Sequence, residues 1–188
     1  MNLRKEIEAY IPFDETEEAD KRVILTFMDH FQDVLTRNNE IGHFTTSAFI
    51  VNHQRTKVLM IYHNIYQSWA WVGGHADGEE NLEEVIKKEI AEETGIEHIK
   101  FLKEGIFAIE DLIVTPHYKR GKFVPAHLHF DVTYLVEADE KEMIRMKKDE
   151  NSGVKWIPIE KVVESSTEEH MKPIYQKLMD KLEAIEKS

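Results

Sequence analysis

The strongest constraint on this chain is a helix pattern between Asn81 and Gly95 in which acidic residues fall among the apolar ones. Asn81 can cap the helix with Glu84 as its reciprocal partner, and Gly95 supplies a C-terminal stop. The apolar stripe consists of Leu82, Val85, Ile86 and Ile90. This spacing predicts an amphipathic helix over residues 81–94 that packs on a core.

Three glutamates lie on or beside that apolar stripe. Each helical residue advances by about 100°, so with Glu89 at 0° Glu93 lies near +40° and Glu92 near −60°. A desolvated, unpaired carboxylate is costly, and a hard divalent cation such as Mg²⁺ would remove that cost by taking oxygen ligands. Periodicity alone leaves a second interpretation open, in which the helix end emerges into solvent and the glutamates are hydrated.

The same segment matches a known signature. It resembles the Nudix signature: glycine, five residues, glutamate, seven residues, then Arg-Glu-apolar-any-Glu-Glu-any-Gly-apolar. The residues in register are Gly74, Glu80, Glu89, Ile90, Glu92, Glu93, Gly95 and Ile96. Lys88 departs from it, because the family has arginine there. The resemblance implies an α/β fold, a Nudix-type α/β/α sandwich with a mixed β-sheet. The N-terminal helices that periodicity predicts lie outside the resemblance.

The resemblance also implies roles for individual residues. The implied metal ligands are the carbonyl of Gly73 and the carboxylates of Glu89, Glu92 and Glu93. Glu89 binds directly or through water, or orients the attacking water, while Glu80 and Lys88 support the site. The family often draws another acidic ligand or base from a loop before the last core strand, which makes Glu150 a catalytic candidate, with Asp149 next. Both could equally be a solvated charge cluster.

The implied reaction is hydrolysis of a phosphoanhydride bond with Mg²⁺, and the resemblance implies that Mn²⁺ can substitute. The substrate class is a nucleoside diphosphate linked to another moiety, or a related small molecule. The alternative is a ligand-binding regulator with reduced catalysis, although such proteins usually lose the glutamates. A diphosphate isomerase would need a cysteine, and the chain has none. RNA decapping is disfavoured by the net charge of −12.

Secondary candidates for substrate contacts are histidines and a basic loop. His127, His129 and Asp131 share one face of a predicted strand, because side chains alternate in β-structure. That face could be a second metal or phosphate site, or simply a solvated surface. The substrate candidates are His75, His117, Lys119, Arg120, His127 and His129.

Composition narrows the partners and the organisation of the chain. The acidic charge argues against a nucleic-acid binder, no apolar run reaches the length of a membrane span, and a cytoplasmic location is expected.

Residues 1–40 are predicted to be a helical extension, with a capping box at Asp14 and Glu17, and residues 41–188 are predicted to form the Nudix domain. The apolar residues of 17–36 offer surface for a homodimer. Strands are predicted at 44–51, 57–63, 68–72, 101–114, 124–136 and 153–158.

Overall fold

The computed structural model of the protein describes residues 2–119, 121–146 and 151–187. Its helices are α1 (Leu3–Ala9), α2 (Glu15–His30), α3 (Leu82–Thr94), α4 (Val162–Ser165) and α5 (Lys172–Glu186), with a short 3₁₀ helix at Ile159–Lys161. Its strands are β1 (Gly42–Asn52), β2 (Lys57–His63), β3 (Ser68–Ala70), β4 (Val72–His75), β5 (Ile99–Phe101), β6 (Ala108–Val114), β7 (His117–Lys119), β8 (Lys122–Val124), β9 (His127–Ala138) and β10 (Asn151–Pro158).

The main sheet has the hydrogen-bonded order β10-β2-β1-β9-β5, with β3 on β2, β4 on β1 and β6 on β9. Ile50 of β1 lies opposite Leu59 of β2, and Leu112 of β6 opposite His129 of β9. Strands β7 and β8 form a separate hairpin. A large sheet accompanied by several helices confirms the α/β class predicted from the sequence.

The chain divides into two compact units, and β1, α3 and β9 each continue from one into the other. The first unit comprises Met1–Ser47, Gly73–Ile86 and Gly105–Tyr134, and the second comprises Ala48–Val72, Lys87–Glu104 and Leu135–Ser188. In the first, the Phe27 ring packs 4.6 Å from that of Phe130. In the second, the Tyr175 ring meets Trp71 edge-on at 5.6 Å. Each unit therefore has aromatic residues packed in its interior.

The two N-terminal helices are joined through a buried carboxylate. Glu17 is fully buried and accepts hydrogen bonds from the Tyr10 hydroxyl and, at 2.8 Å, from the Phe13 backbone N–H. The Tyr10 hydroxyl also lies 3.2 Å from the Phe107 carbonyl oxygen. Asp14 caps α2 as predicted, because its side chain accepts from the backbone N–H of Glu17 at 3.0 Å. Glu17 itself turns to Tyr10 and Phe13, so these contacts fix the corner between α1 and α2.

Some predicted boundaries were wrong. Residues 1–40 were predicted to be helical, but α2 ends at His30, and the Val34 carbonyl accepts a hydrogen bond from the Phe44 N–H at 2.8 Å. The single strand predicted at 101–114 is interrupted between β5 and β6. The segment between the strands predicted at 101–114 and 124–136 contains the β7–β8 hairpin. Local periodicity does not report these long-range backbone hydrogen bonds.

Helix α2 buries apolar residues within the first unit. Ile24 and Phe27 are buried, whereas Val23 is exposed. Homodimer formation through this region stays a prediction. Within the described residues, no helix is both long and apolar enough to cross a membrane.

An acidic cluster lies where α2 contacts β6. Asp111 of β6 is half-buried, and its Oδ1 has no hydrogen-bond partner among the described residues. Burial, followed by the charges of Asp20 and Glu110, raises the pKa of Asp111 to about 8. Because an unfolded aspartate has a pKa of about 3.9, the folded state binds more protons, and this group lowers stability as pH rises from about 4 to about 8.

We therefore expect Asp111→Asn to raise the free energy of unfolding by about 1 kcal/mol at pH ~8.5, after allowing for solvent screening. Near pH ~4 the gain should vanish, because wild-type Asp111 is then protonated in the folded state. Urea unfolding of both proteins at the two pH values measures the difference. An equal effect at both would contradict the charge-based explanation.

Candidate active site

The turn that precedes α3 is pressed against strand β1. A Cβ atom at Gly73 would lie 2.7 Å from the Thr46 carbonyl oxygen and 3.2 Å from the Ser47 Cβ. Just beyond the turn, the Ala76 N–H donates to the Phe44 carbonyl at 3.1 Å. Only glycine permits this approach, so position 73 presents bare backbone at the strand edge.

Helix α3 buries the side predicted from its sequence. Asn81 caps the helix by accepting from the Glu84 N–H at 3.4 Å. The fully buried members of the apolar stripe are Leu82, Ile86 and Ile90. Glu93 is only 4% exposed, Glu89 is half-buried, and the Glu92 side chain is 40% exposed. The burial of the three glutamates therefore follows their angular distance from the stripe.

The buried Glu93 carboxylate has an amide partner that the sequence analysis missed. Asn151 Nδ2 donates to Glu93 Oε1 at 3.2 Å, and Asn151 is 1% exposed. Asn151 opens β10, where a β-bulge separates it from Gly153. The available signal was its position directly after the candidate Glu150, which itself lies outside the described residues, as does Asp149.

Lys88 and Glu80 have separate polar partners. Lys88 Nζ lies 3.6 Å from Glu92 Oε1 in an exposed pair one helical turn apart. Glu80 Oε1 accepts a hydrogen bond from Asn2 Nδ2 at 2.8 Å. The lysine in place of the signature arginine therefore contacts one of the predicted metal ligands.

Four histidines come together in the first unit. The rings of His75, His127 and His129 each lie within 5.3 Å of the His43 ring, measured between centroids. His43, which is buried at the start of β1, belongs to none of the motifs in the sequence. The available signal was its place directly before the strand predicted at 44–51.

Asp131 was expected on the same face as His127 and His129. Its hydrogen-bond partners are hydroxyl groups within the sheet. It is buried and accepts hydrogen bonds from the hydroxyls of Thr45 at 2.7 Å, Ser47 at 2.6 Å and Thr133 at 3.2 Å. Burial raises the pKa of this carboxyl, and the three hydroxyl donors oppose the shift. Asp131 therefore ties strands β1 and β9 together.

The basic loop carries the remaining substrate candidates. His117 begins β7, and its Nδ1 lies 2.9 Å from the Thr115 carbonyl oxygen. Lys119 pairs with Lys122 across the hairpin through the backbone. Arg120 lies outside the described residues.

Comparison with known proteins gives one family match. The family model described as NUDIX domain matches residues 42–178. No curated protein gives a match.

Solved structures share the fold at low sequence identity. A NUDIX-family hydrolase from Clostridium perfringens is 22% identical, with TM-score 0.55, over 74% of this chain and 97% of that one. An Ap4A hydrolase binary complex from C. elegans is 17% identical, with TM-score 0.55, over 76% and 96%. The NUDIX domain of Shewanella oneidensis NrtR, complexed with ADP ribose, is 17% identical, with TM-score 0.55, over 84% and 97%. The family match over most of the chain, together with this fold, shows that the chain belongs to the Nudix family of hydrolases.

Proposed function

We propose that this chain hydrolyses a phosphoanhydride bond of a nucleoside diphosphate linked to another moiety, or of a related small molecule, with Mg²⁺. The observation that carries the proposal is the graded burial of three glutamates on α3, with Glu93 held by Asn151. Structures of similar fold hold or act on such compounds, since one is an Ap4A hydrolase and another binds ADP ribose.

The α3 residues fit a hard divalent cation. Asn151 is neutral, so its hydrogen bond satisfies part of the Glu93 carboxylate without cancelling the charge. Carboxylate and carbonyl oxygens are the ligands that Mg²⁺ prefers, and we assign Gly73, Glu89, Glu92 and Glu93 as the ligands. When bound, Mg²⁺ supplies charge neutralisation at the diphosphate oxygens and lowers the pKa of a water. Mn²⁺ has the same ligand preference and is expected to substitute.

The chain itself contributes position and a proton acceptor. Asn151 fixes the rotamer of Glu93, and the bare backbone at Gly73 allows an ion or phosphate to come close. Glu89, half-buried on the same helix, is our candidate to accept the proton of the attacking water. Lys88 lies beside Glu92 and limits the repulsion among these acids.

The first test is metal dependence across a substrate panel. We expect turnover of at least one nucleoside-diphosphate compound among nucleotide sugars, dinucleoside polyphosphates, nucleoside triphosphates, dinucleotides and capped RNA. EDTA should abolish this activity, and added Mg²⁺ or Mn²⁺ should restore it, because the glutamates need the cation to act together. Phosphate release or product chromatography measures it. Undiminished turnover in EDTA would refute the mechanism.

Glu92→Gln and Glu93→Gln test the ligand assignment. Each change keeps the shape of the side chain and removes a charge, so kcat should fall at least ~10²-fold, about 2.7 kcal/mol in the barrier. Glu84→Gln, on the exposed side of the same helix, is the matched control and should keep wild-type kcat. Near-normal turnover in the first two variants would overturn the assignment of these glutamates as metal ligands. A wild-type protein that binds a nucleoside-diphosphate compound without turning it over would favour the ligand-binding regulator.

Asn151→Ala tests whether the buried amide positions Glu93. Loss of a hydrogen-bonding partner of a metal ligand typically lowers metal affinity or activity by about 10–100-fold. We expect the Mg²⁺ concentration for half-maximal activity to rise by that order, with circular dichroism unchanged. Ser152→Ala, at the exposed next position, is the control. If Asn151→Ala shows the wild-type Mg²⁺ dependence, the amide has no positioning role.

A further inference from the structure

The histidine cluster of the first unit has the arrangement of a nitrogen-ligated metal site. One ligand nitrogen from each of His43, His75 and His129 lies within 4.8 Å of the other two. These residues come from β1, β4 and β9 respectively. We propose that His43, His75 and His129 bind one divalent transition-metal ion of the Zn²⁺ class, with ligands different from those of the catalytic Mg²⁺.

His43 is the strongest evidence for a ligand. It is 4% exposed, and its Nδ1 lies 3.1 Å from the Asn39 carbonyl oxygen, which can only accept a hydrogen bond. Nδ1 therefore carries the proton, and the lone pair is on Nε2. That nitrogen is buried and has no hydrogen-bond partner among the described residues. Burial lowers the pKa of His43, which favours the neutral ring that a metal requires.

His127 is not one of the three proposed ligands, but it orients one of them, His129, by a hydrogen bond. Its Nδ1 lies 2.9 Å from the Pro125 carbonyl oxygen, so in the neutral ring the proton is on Nδ1 and Nε2 accepts. His127 Nε2 is 3.2 Å from His129 Nε2. His129 must then donate from Nε2, and in the proposed site it coordinates through Nδ1. A ligand histidine oriented by a partner on its other nitrogen is the usual arrangement at metal sites.

The distances between the histidine nitrogens need only a small change for all three to bind one ion. Ligands of a tetrahedral Zn²⁺ at ~2.0–2.1 Å stand about 3.3 Å apart, so modest rotations of the rings would bring the nitrogens from within 4.8 Å to that distance. His43 is buried, whereas His75 and His129 are half-buried. The fourth position can therefore hold water, as in open three-histidine sites.

The three imidazole groups determine which kind of ion the cluster can bind. Imidazole nitrogens suit Zn²⁺, Co²⁺, Ni²⁺ or Cu²⁺, whereas Mg²⁺ prefers oxygen. A phosphate would need positive charge from these rings, and the buried, neutral His43 does not supply it. The cluster therefore favours a cation over an anion.

The experiment uses the full chain without a polyhistidine tag, and Co²⁺ is the spectroscopic probe. The protein is stripped with EDTA and titrated with Co²⁺ in excess Mg²⁺, which occupies the oxygen ligands of α3. We expect about one equivalent to bind with the intense visible bands of a nitrogen-ligated, four-coordinate ion, and Zn²⁺ to displace it. Failure of wild type to develop these bands overturns the proposal.

Variants identify the ligands independently of catalysis. His75→Gln and His129→Gln, both half-buried, should weaken Co²⁺ binding at least tenfold while the circular dichroism stays unchanged. His127→Gln should weaken binding less and keep the bands, as expected of a positioning residue. His98→Gln, whose side chain is 87% exposed, is the matched control. Glu93→Gln should lose turnover and keep the Co²⁺ bands.

Three outcomes would overturn the proposal. Unchanged Co²⁺ bands in both His75→Gln and His129→Gln would place the ion elsewhere. Bands lost in Glu93→Gln would assign the ion to α3. Phosphate that binds the metal-free protein and is lost in His129→Gln would identify an anion site instead.

Discussion

Helix α3 holds a carboxylate in the protein interior, and the proposed site depends on it. Glu93 is nearly fully buried on the face of α3 that also carries Ile86 and Ile90. An ionised carboxylate there is stable only with compensating partners, and Asn151 supplies one of them from the start of β10. The hydrophobic packing that stabilises α3 thus also sets which of its acids are desolvated. In the proposed mechanism, stability and metal binding would therefore share the same few residues of this helix.

The first unit also contains a buried carboxylate, Asp131, and a different set of hydrogen-bond donors stabilises it. Asp131 is buried as deeply as Glu93, but it accepts hydrogen bonds from two hydroxyls of the neighbouring strand β1 and from one of its own strand β9. That carboxyl is satisfied within the sheet and needs no ion. His43 contrasts with both, because its buried Nε2 has no such partner in the described part of the chain. Burial alone does not identify a ligand, whereas the accounting of polar partners does.

Much of the site was predictable because its information is local. The cap at Asn81 and the positions of Glu89, Glu92 and Glu93 follow from helical periodicity, and the Nudix signature adds their chemistry. The positions of Asn151 and His43 were not predictable, because their partners are set by long-range packing. The same holds for the interruption before β6, where the Phe107 N–H bonds to Thr133 across the sheet at 2.9 Å. Only tertiary structure provides these partners.

The contacts of the N-terminal helices bear on where this chain can be shortened. The matched family region begins at residue 42, yet Phe27 of α2 packs on Phe130, and the Tyr10 hydroxyl reaches the Phe107 carbonyl. A chain trimmed to the family boundary would leave aromatic surface open to water, and exposed apolar patches of this kind promote aggregation. It would also remove the Asn2 amide from Glu80, within the signature itself. The first forty residues are thus part of the packing of the first unit.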